Sequence, residues 1–549
     1  MVAAPALPIR WRATKPIQDR ANLRDDMTRD RLWTLLPILL AVLGATIAPM
    51  STVDLAYQVR VGDLIRASGS VLRSDPLTFT AAGQAWLNQQ WGASLLLSLG
   101  YSAAGWAGLA LLRAVLVSVA VALVFWTSRR WLPVRPAAAL ALAAFVVGIG
   151  ALALRAQLFG IVCFVLVVAL LADRRRRPRL ALLVPLVVLA WVNLHGSFFL
   201  GVGAAALALI ADLRAPAPSR RNSAAILALS AAASVVTPFG PGAWSYALGL
   251  STNGDVAGLV TEWQRTSPLS PDGGLFYISV LLTAGVLVAA RRRDGQWPPI
   301  PRLLWLGGLL LVGAWAGRGV VWWAFGAPAV ISSVLARLSR PADRTAGVAA
   351  VAGVAVARVG PAGAPGAVVA PPASAPPRRA RPEPAAFQRL NLAIVLALVA
   401  LVVLLQPIWR PSTTLAGPDG LLVDAPVGLA IAMRAAGSPT DRAVVPQRWA
   451  SWFEWAAPGV PVMVDSRIEV MPASAWSDYL VIAAGGPEAL ESLSRNGVSL
   501  VVVERRDQPA LLDRLRAIDS GWRILAEDGD GALFRPLTGG RVHPGRGSS

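Results

Sequence analysis

The chain has 549 residues, of which 55% are hydrophobic and 15% are charged. Because about a quarter of the residues of a soluble domain are charged, this composition excludes a soluble protein, and the mean hydropathy of +0.55 agrees. The net charge of +20 also occurs in nucleic-acid-binding proteins, but here the arginines lie in short clusters between apolar stretches. That arrangement is typical of membrane proteins, and we expect no nucleic-acid partner.

The predicted membrane spans are apolar stretches, since about 20 such residues cross a bilayer. Residues 1–31 contain no apolar core, so we expect a cytoplasmic N-terminal segment and no cleavable signal peptide. Some of the predicted spans are short. The eleven predicted spans are 32–50, 106–127, 136–153, 156–172, 179–193, 197–213, 223–239, 274–290, 302–317, 319–338 and 390–407.

The arginine clusters predict the orientation of these spans, because cytoplasmic loops carry an excess of basic residues. With residues 1–31 in the cytoplasm, the clusters fall in every second loop. They are Arg129–Arg130, Arg174–Arg177 with Arg179, Arg214 to Arg221, Arg291–Arg293 and Arg337 to Arg389. Residues 32–339 are then a transmembrane core with an external loop at 51–105, in the cell inner (plasma) membrane.

The last part of the chain changes character twice. Residues 340–388 are rich in Pro, Ala and Gly, which predicts a flexible cytoplasmic linker, and a last transmembrane helix is expected at 389–408. Residues 409–549 contain strand-like runs at 443–445, 460–465, 498–504, 522–528 and 532–536, and helical stretches near 426–436, 474–495 and 508–519. This alternation predicts a small α/β domain outside the cytoplasm. The predicted fold class is therefore mostly α, a transmembrane helical bundle with a small C-terminal α/β domain.

Ionisable and polar residues at the ends of membrane spans are candidates for function, because they are costly there. All of those singled out fall on the predicted external side. They are Asp54, Arg60, Asp63, Asp75, Gln89, Gln90 and Trp91 in the first loop, Arg155 and Gln157, Asn193 and His195, Glu262, Trp263 and Gln264, and Arg318. Each has a structural alternative: His195 as a helix-turn cap, Arg155 and Arg318 as arginines that reach the headgroups, and the tryptophans as an interfacial belt.

Several short motifs follow one another in an order that resembles the GT-C superfamily of polytopic glycosyltransferases, and in particular a group of uncharacterised bacterial membrane proteins of that type. They are DLAYQVRVGDLI at 54–65, DPLTFT at 75–80, WLNQQW at 86–91, RAQLFG at 155–160, WVNLHG at 191–196, TPFG at 237–240, EWQ at 262–264, RWASWFEW at 448–455 and PVMVDSR at 461–467. The chain departs from the group at Ala56-Tyr57-Gln58, where a Trp-Trp-His is typical, and at Ala450-Ser451, where two glycines are typical.

The resemblance implies transfer of a hexose or pentose from a polyprenyl-phosphate donor to a glycan or lipid acceptor of the cell envelope, at the external face of the membrane. It also implies an acidic catalytic base early in the first external loop. Asp54 is that residue here, because it follows the first span at the depth where lipid-borne and aqueous substrates meet. His195 is the second catalytic candidate, as a donor to the phosphate or as a group that orients the base.

Arginines are the expected ligands of the donor phosphate, whose negative charge grows as it leaves. The candidates are Arg60, Arg155 and Arg318. The substrate-binding candidates are Asp75, Gln90, Trp91, Gln157, Asn193, Glu262 and Trp263. No metal-ligand spacing is recognisable, and a divalent cation shared by Asp54 and a second carboxylate is the alternative.

Two other classes of function remain open. A transporter or flippase of lipid-linked substrates would carry polar groups at mid-membrane with broken spans, and Pro185 and Pro328 are the residues that favour it. A non-catalytic envelope-assembly protein would bind polymer through the C-terminal domain. In that domain Asp465 and Arg467, together with Trp452-Phe453-Glu454-Trp455, are candidates for binding the acceptor glycan. The structural alternative is that Trp449, Trp452 and Trp455, at helical spacing, form the core of the domain. A lipid-facing groove beside Asp54 would favour transfer, and a cavity through the membrane would favour transport.

Overall fold

The computed structural model describes residues 27–252, 261–339, 384–413 and 415–537, and most of them are helical. Together with small sheets in the C-terminal region, this confirms the predicted fold class. Most of the predicted N-terminal segment and of the predicted linker at 340–388 lies outside the described residues.

The N-terminal part of the described chain is built from helices. They are α1 Arg29–Ile47, α2 Leu55–Ser68, α3 Trp91–Arg129, α4 Val134–Gly148, α5 Ala156–Asp173, α6 Pro178–Ala181, α7 Val184–Leu194, α8 Phe199–Asp212, α9 Ala217–Ala233, α10 Gly242–Thr252, α11 Pro271–Asp294, α12 Ile300–Trp315, α13 Val320–Gly326, α14 Pro328–Leu338 and α15 Ala385–Leu404.

Six of the described helices, α1, α3, α4, α5, α11 and α15, are long and apolar enough to cross a membrane. A seventh span is formed if Gly317–Gly326 and Pro328–Leu338, which meet at a bend of 41°, are one broken helix. The bend lies at Pro328, whose missing N–H removes a helical hydrogen bond. The protein is a multi-pass membrane protein. The remaining predicted spans coincide with shorter helices, so the count of eleven stays a prediction.

Helix α3 begins at Trp91, well before the span predicted from residue 106. Its first part bends away from the rest at Ala104 and Gly105, where Gly105 has a φ of 57° that suits only glycine. The first part of α3 packs closely on α2, because a Cβ on Gly62 would lie 2.1 Å from the carbonyl oxygen of Ser94. Gly62 thus permits the close approach that places α2, and with it Asp54, against the bundle.

The C-terminal domain is built on a four-stranded sheet of order β5-β6-β8-β7. Its strands are β5 Ala443–Val444, β6 Leu500–Glu504, β7 Trp522–Glu527 and β8 Gly531–Pro536, and its helices are α16 Val427–Ala436, α17 Gln447–Ala456, α18 Ala473–Ala484, α19 Ala489–Arg495 and α20 Pro509–Arg516. Strand β6 is buried along its whole length, as its unbroken apolar run indicates. The strand predicted at 460–465 is instead a segment with isolated bridges from Val462 to Thr78 and Ala443.

The first loop and the C-terminal domain form one packed unit. Short strand β1, Met50–Ser51, pairs in parallel with β4, Leu422–Val423, which follows a hairpin of β2, Ser412–Thr413, and β3, Gly417–Pro418. The tryptophans of α17 add a second contact with the bundle. Trp455 packs edge-on against Trp106 of α3 at 4.9 Å between ring centroids, and Trp452 is fully buried. Their helical spacing therefore serves packing, the structural alternative for this motif.

Candidate active site

Asp54 is the residue immediately before α2, at the N-cap position, yet its side chain makes no capping hydrogen bond. An aspartate at this position ordinarily accepts from the N–H groups of the first helical turn. Here its carboxylate instead lies beside Arg155, with 3.3 Å between Oδ2 and Nη1. The Asp54 side chain is 21% exposed, so the carboxylate is largely withdrawn from water and remains reachable.

Arg155 joins three distant parts of the chain. It stands in extended conformation directly before α5, and its Nη2 lies 2.9 Å from Oε2 of Glu262 while Nη1 contacts Asp54. Among the described residues its buried Nε has no hydrogen-bond partner. Since buried donors are nearly always satisfied, this nitrogen is an open donor inside the cluster.

Arg318 completes the cluster from the turn between α12 and α13. Its Nε lies 3.9 Å from Glu262 and donates to Oε1 of Gln157 at 3.3 Å, and the Gln157 amide donates back to the carbonyl of Arg318 at 3.3 Å. Its guanidinium lies 5.4 Å from the ring centre of Trp263. Asp54, Arg155, Gln157, Glu262, Trp263 and Arg318, predicted from four separate segments, thus lie together.

The charges of this cluster balance, with two arginines and two carboxylates. Burial raises the pKa of Glu262, but the neighbouring Arg155 and Arg318 outweigh it and hold that pKa below its usual value. Glu262 is therefore ionised at neutral pH. An incoming anion would have to share the two arginines with Glu262 and Asp54.

His195 lies in the turn between α7 and α8, close to the cluster. Its Nδ1 lies 2.7 Å from Oγ of Ser197 and accepts from the backbone N–H of the same residue at 3.2 Å. Burial lowers the pKa of His195 well below its usual value, and the charges of Arg318 and Arg155 lower it further, so the imidazole is neutral. The turn-cap contact is present, and the catalytic role of His195 stays a prediction.

Gln58 is part of the site although no role was predicted for it. It lies one helical turn after Asp54 and is buried, and its Oε1 accepts from the N–H of Ala156, the first residue of α5, at 3.1 Å. Its Nε2 donates to Oε1 of Gln90 at 3.0 Å. Gln58 therefore connects the Asp54 helix to the helix that follows Arg155 and, through Gln90, to the start of α3. The spacing of four residues from Asp54 was the available sequence signal.

Other predicted residues lie outside the cluster. Asp75 is buried and accepts from Arg467 at 2.8 Å and from the N–H groups of Leu77 and Thr78. The amide of Asn193 is bonded to Trp91 and to two backbone carbonyls. In the described part of the chain, no ion pair or hydrogen bond joins the Arg60 side chain to the cluster. Their predicted roles in binding are untested.

A cavity of about 380 Å³ is lined by Arg155, Glu262 and Arg318. The lining also contains Gln264, Ser267 and Ser270, which precede α11, and Asp272 in its first turn. Asp272 was not singled out from the sequence, because an acid in a first helical turn is ordinary. Gly150 gives this carboxylate room, since a Cβ there would lie 2.2 Å from its Oδ2.

A second, mostly apolar cavity of about 180 Å³ adjoins the first, and Val147 lines both. It lies between helices α4, α11, α13 and α14. Its apolar wall includes Leu140, Ala144, Leu282, Trp323, Ile331 and Leu335. The cavity that contains the two arginines thus adjoins an apolar groove along helices of the transmembrane core.

Within the described ranges, no group of three or more His, Cys, Asp or Glu side chains could hold a metal ion. Glu262, the other acid of the cluster, is held by Arg155 and Arg318. The arrangement therefore offers anion-binding arginines and one partly open carboxylate, that of Asp54. It can take up a negatively charged group beside an apolar chain and accept a proton next to it.

No protein-family model matches the chain, and no curated protein matches it. Solved structures are similar to it. The oligosaccharyltransferase of Archaeoglobus fulgidus, tethered to an acceptor peptide with an NVT sequon, is 12% identical over 86% of this chain and 69% of its own, with a TM-score of 0.48. ArnT from Cupriavidus metallidurans is 14% identical over 92% of this chain and 97% of its own, with TM-scores of 0.47 in the apo state and 0.46 bound to undecaprenyl phosphate. At this level of similarity the function of the chain rests on its own site.

Proposed function

We propose that the protein is a GT-C-type membrane glycosyltransferase that moves a sugar from a polyprenyl-phosphate donor to an acceptor of the cell envelope. The observation that carries the proposal is the pair of adjoining cavities, one lined by Arg155 and Arg318 and the other apolar and set between membrane helices. A lipid phosphate has a matching charged end and apolar chain. An apolar groove between membrane helices beside the site also favours transfer over transport.

The two arginines are proposed to bind the phosphate of the donor. The open Nε of Arg155 would donate to a phosphate oxygen, and Arg318 would approach from the other side of Glu262. As the bond from the anomeric carbon to the phosphate oxygen breaks, negative charge accumulates on the polyprenyl phosphate that leaves. Fixed cations in a partly water-excluded site stabilise that charge more than water does.

Asp54 is proposed as the general base. The acceptor hydroxyl gives its proton to the carboxylate while its oxygen bonds to the anomeric carbon. The contact with Arg155 at 3.3 Å holds the carboxylate next to the phosphate site, and the acceptor oxygen would attack the anomeric carbon from the face opposite the phosphate that leaves. Gln157 and Glu262 are proposed to hold sugar hydroxyls, with Trp263 stacking beside them.

A complementation experiment tests the proposal without knowledge of the sugar. Deletion of the gene should cause an unused polyprenyl-phosphate sugar to accumulate, and mass spectrometry of the lipid extract identifies it. The wild-type gene should clear it, whereas Asp54→Asn, expressed to the same level, should not. Asp63→Asn is the matched control, because Asp63 lies on the same helix but bonds Ser98. Clearance by Asp54→Asn would remove Asp54 as the base, and the absence of any accumulating lipid-linked sugar would count against the transferase.

A further inference from the structure

The start of helix α2 has an unusual acceptor for one of its N–H groups. Tyr57 is the third residue of the helix, and its N–H is one of those that a capping aspartate ordinarily accepts. In this protein the N–H of Tyr57 donates instead to Oγ of Ser451 at 2.7 Å. Ser451 belongs to α17 in the C-terminal domain and is fully buried. A serine 394 residues away along the chain therefore occupies the role that Asp54 would have.

The backbone on the other side of Asp54 is also held by the C-terminal domain. Ser466 donates from Oγ to the carbonyl of Val53 at 3.2 Å. Thr52 donates from Oγ1 to the carbonyl of Asp424 at 2.6 Å, directly after the β1–β4 pairing. Asp424 has a φ of 61°, a conformation that aspartate tolerates better than most residues. The C-terminal domain thus holds the backbone before Asp54, at Thr52 and Val53, and after it, at Tyr57. The side chain of Asp54 is the part of this segment that can turn.

We infer that Ser451 is a positioning residue for the reaction, because it caps α2 in place of Asp54 and so leaves the Asp54 carboxylate directed at Arg155. Without the Ser451 hydroxyl, the N–H of Tyr57 would be a buried donor without an acceptor, which is costly. Asp54 directly precedes the helix with a φ of −103° and a ψ of −25°, and its carboxylate would reach that N–H once these angles move to the extended values usual for a capping residue. It would turn back to its own helix and leave Arg155 and the acceptor.

The inference rests on the proposed function, in which Asp54 is the base. It adds that the C-terminal domain is part of the catalytic unit through one hydroxyl group. It also predicts which kinetic step changes, since the arginines that would bind the phosphate lie in the transmembrane core. Loss of the cap should slow the chemical step without weakening donor binding.

The experiment compares purified full-length Ser451→Ala, Ser451→Thr and wild type, with the lipid-linked sugar identified from the deletion strain as donor. Ser451→Ala should lower kcat about tenfold to a hundredfold, since displacement of a reacting group by about 1 Å has effects of that size. The Kd of undecaprenyl phosphate should not rise, because an Asp54 carboxylate that has left Arg155 no longer competes with the phosphate for it. Ser451→Thr, which keeps a hydroxyl, should restore kcat, and Ser477→Ala, an exposed serine of α18, should have no effect.

Three results would overturn the inference: a wild-type kcat for Ser451→Ala, an equal loss of kcat in the threonine variant, or a parallel loss of undecaprenyl phosphate binding. A structure of Ser451→Ala should show the Asp54 carboxylate at the N–H of Tyr57, and a carboxylate still at Arg155 would also overturn it. Asp54→Asn in the same assay separates the two proposals. If Asp54→Asn is active, the assignment of the base fails. If it is inactive while Ser451→Ala is fully active, only the positioning role fails.

Discussion

Replacement of Arg318 by alanine should weaken the binding of a polyprenyl phosphate. The Arg318 side chain is 21% exposed and lies 3.9 Å from Glu262, so its guanidinium is mostly desolvated and only loosely paired. Removal of one such cation from a partly buried anion site costs about 2 kcal/mol. At about 1.4 kcal/mol per tenfold change, the Kd of undecaprenyl phosphate should rise about 30-fold.

Replacement of Glu262 by glutamine should have the opposite effect and lower the Kd of undecaprenyl phosphate. Glu262 competes with the phosphate for both arginines, at 2.9 Å from Arg155 and 3.9 Å from Arg318. Its side chain is 43% exposed, so solvent screens much of the repulsion and the gain is on the order of 1 kcal/mol. Glu262→Gln should therefore tighten undecaprenyl phosphate binding about fivefold while shape and hydrogen-bonding capacity are nearly kept.

Both variants can be measured by titration of undecaprenyl phosphate into purified protein in nanodiscs. Arg523→Ala is the control for loss of a cation, because Arg523 lies exposed on β7 of the C-terminal domain. An unchanged Kd for Arg318→Ala would place the phosphate elsewhere. A weaker Kd for Glu262→Gln would mean that Glu262 helps to bind the lipid and does not compete with its phosphate.

Two further predictions concern stability, measured as thermal unfolding of the detergent-solubilised protein. Burial first, and then the charge of Asp465, raise the pKa of the Glu454 carboxyl well above its usual value, so the folded protein holds a proton there that the unfolded chain releases above about pH 4.3. The wild type should lose stability as the pH rises from about 4.3 towards the raised pKa of Glu454. Glu454→Gln should lack this pH-dependent loss of stability. An identical dependence of the unfolding temperature on pH in the two proteins would contradict the raised pKa of Glu454. Gly62→Ala should destabilise the folded protein by about 1–3 kcal/mol, because the new Cβ would meet the Ser94 carbonyl. Gly203→Ala is the control, since its new Cβ would lie in open space. Equal unfolding temperatures for the two variants would refute the close contact of α2 with α3.

The positions of Asp54, Arg155, Glu262 and Arg318 on one side of the membrane core could be predicted from the sequence. The reason is that spans are recognisable from apolar composition, and alternation of the loops then assigns each residue to a face. The set of candidate residues is restricted further because charged side chains at the ends of membrane spans are costly. The start of α3 could not be predicted in this way, because the apolar residues from Trp91 onwards lie within a loop rich in polar motifs.

The position of Asp75 outside the cluster depends on an ion pair that no local sequence pattern reveals. Its partner Arg467 lies in the C-terminal domain, and the guanidinium also contacts Asp465 and the ring of Trp86. Ser451 is a similar case, since a serine in an amphipathic tryptophan-rich helix carries no sign of its role. The sequence predicted Asp54 as the base, but only the folded chain shows the acceptor, Ser451, that takes the N–H of Tyr57 in its place.

The pairing of β1 with β4 has a consequence for biosynthesis. Thr52 and its partner Val423 are separated by 371 residues, and a ribosome adds about 5–20 residues per second. The segment that carries Asp54 therefore waits for about 20–70 s before the chain that closes its edge exists. During that time the transmembrane core is inserted without a completed site. The protein thus acquires its proposed activity late in synthesis, only after the last membrane helix and the domain behind it have been made.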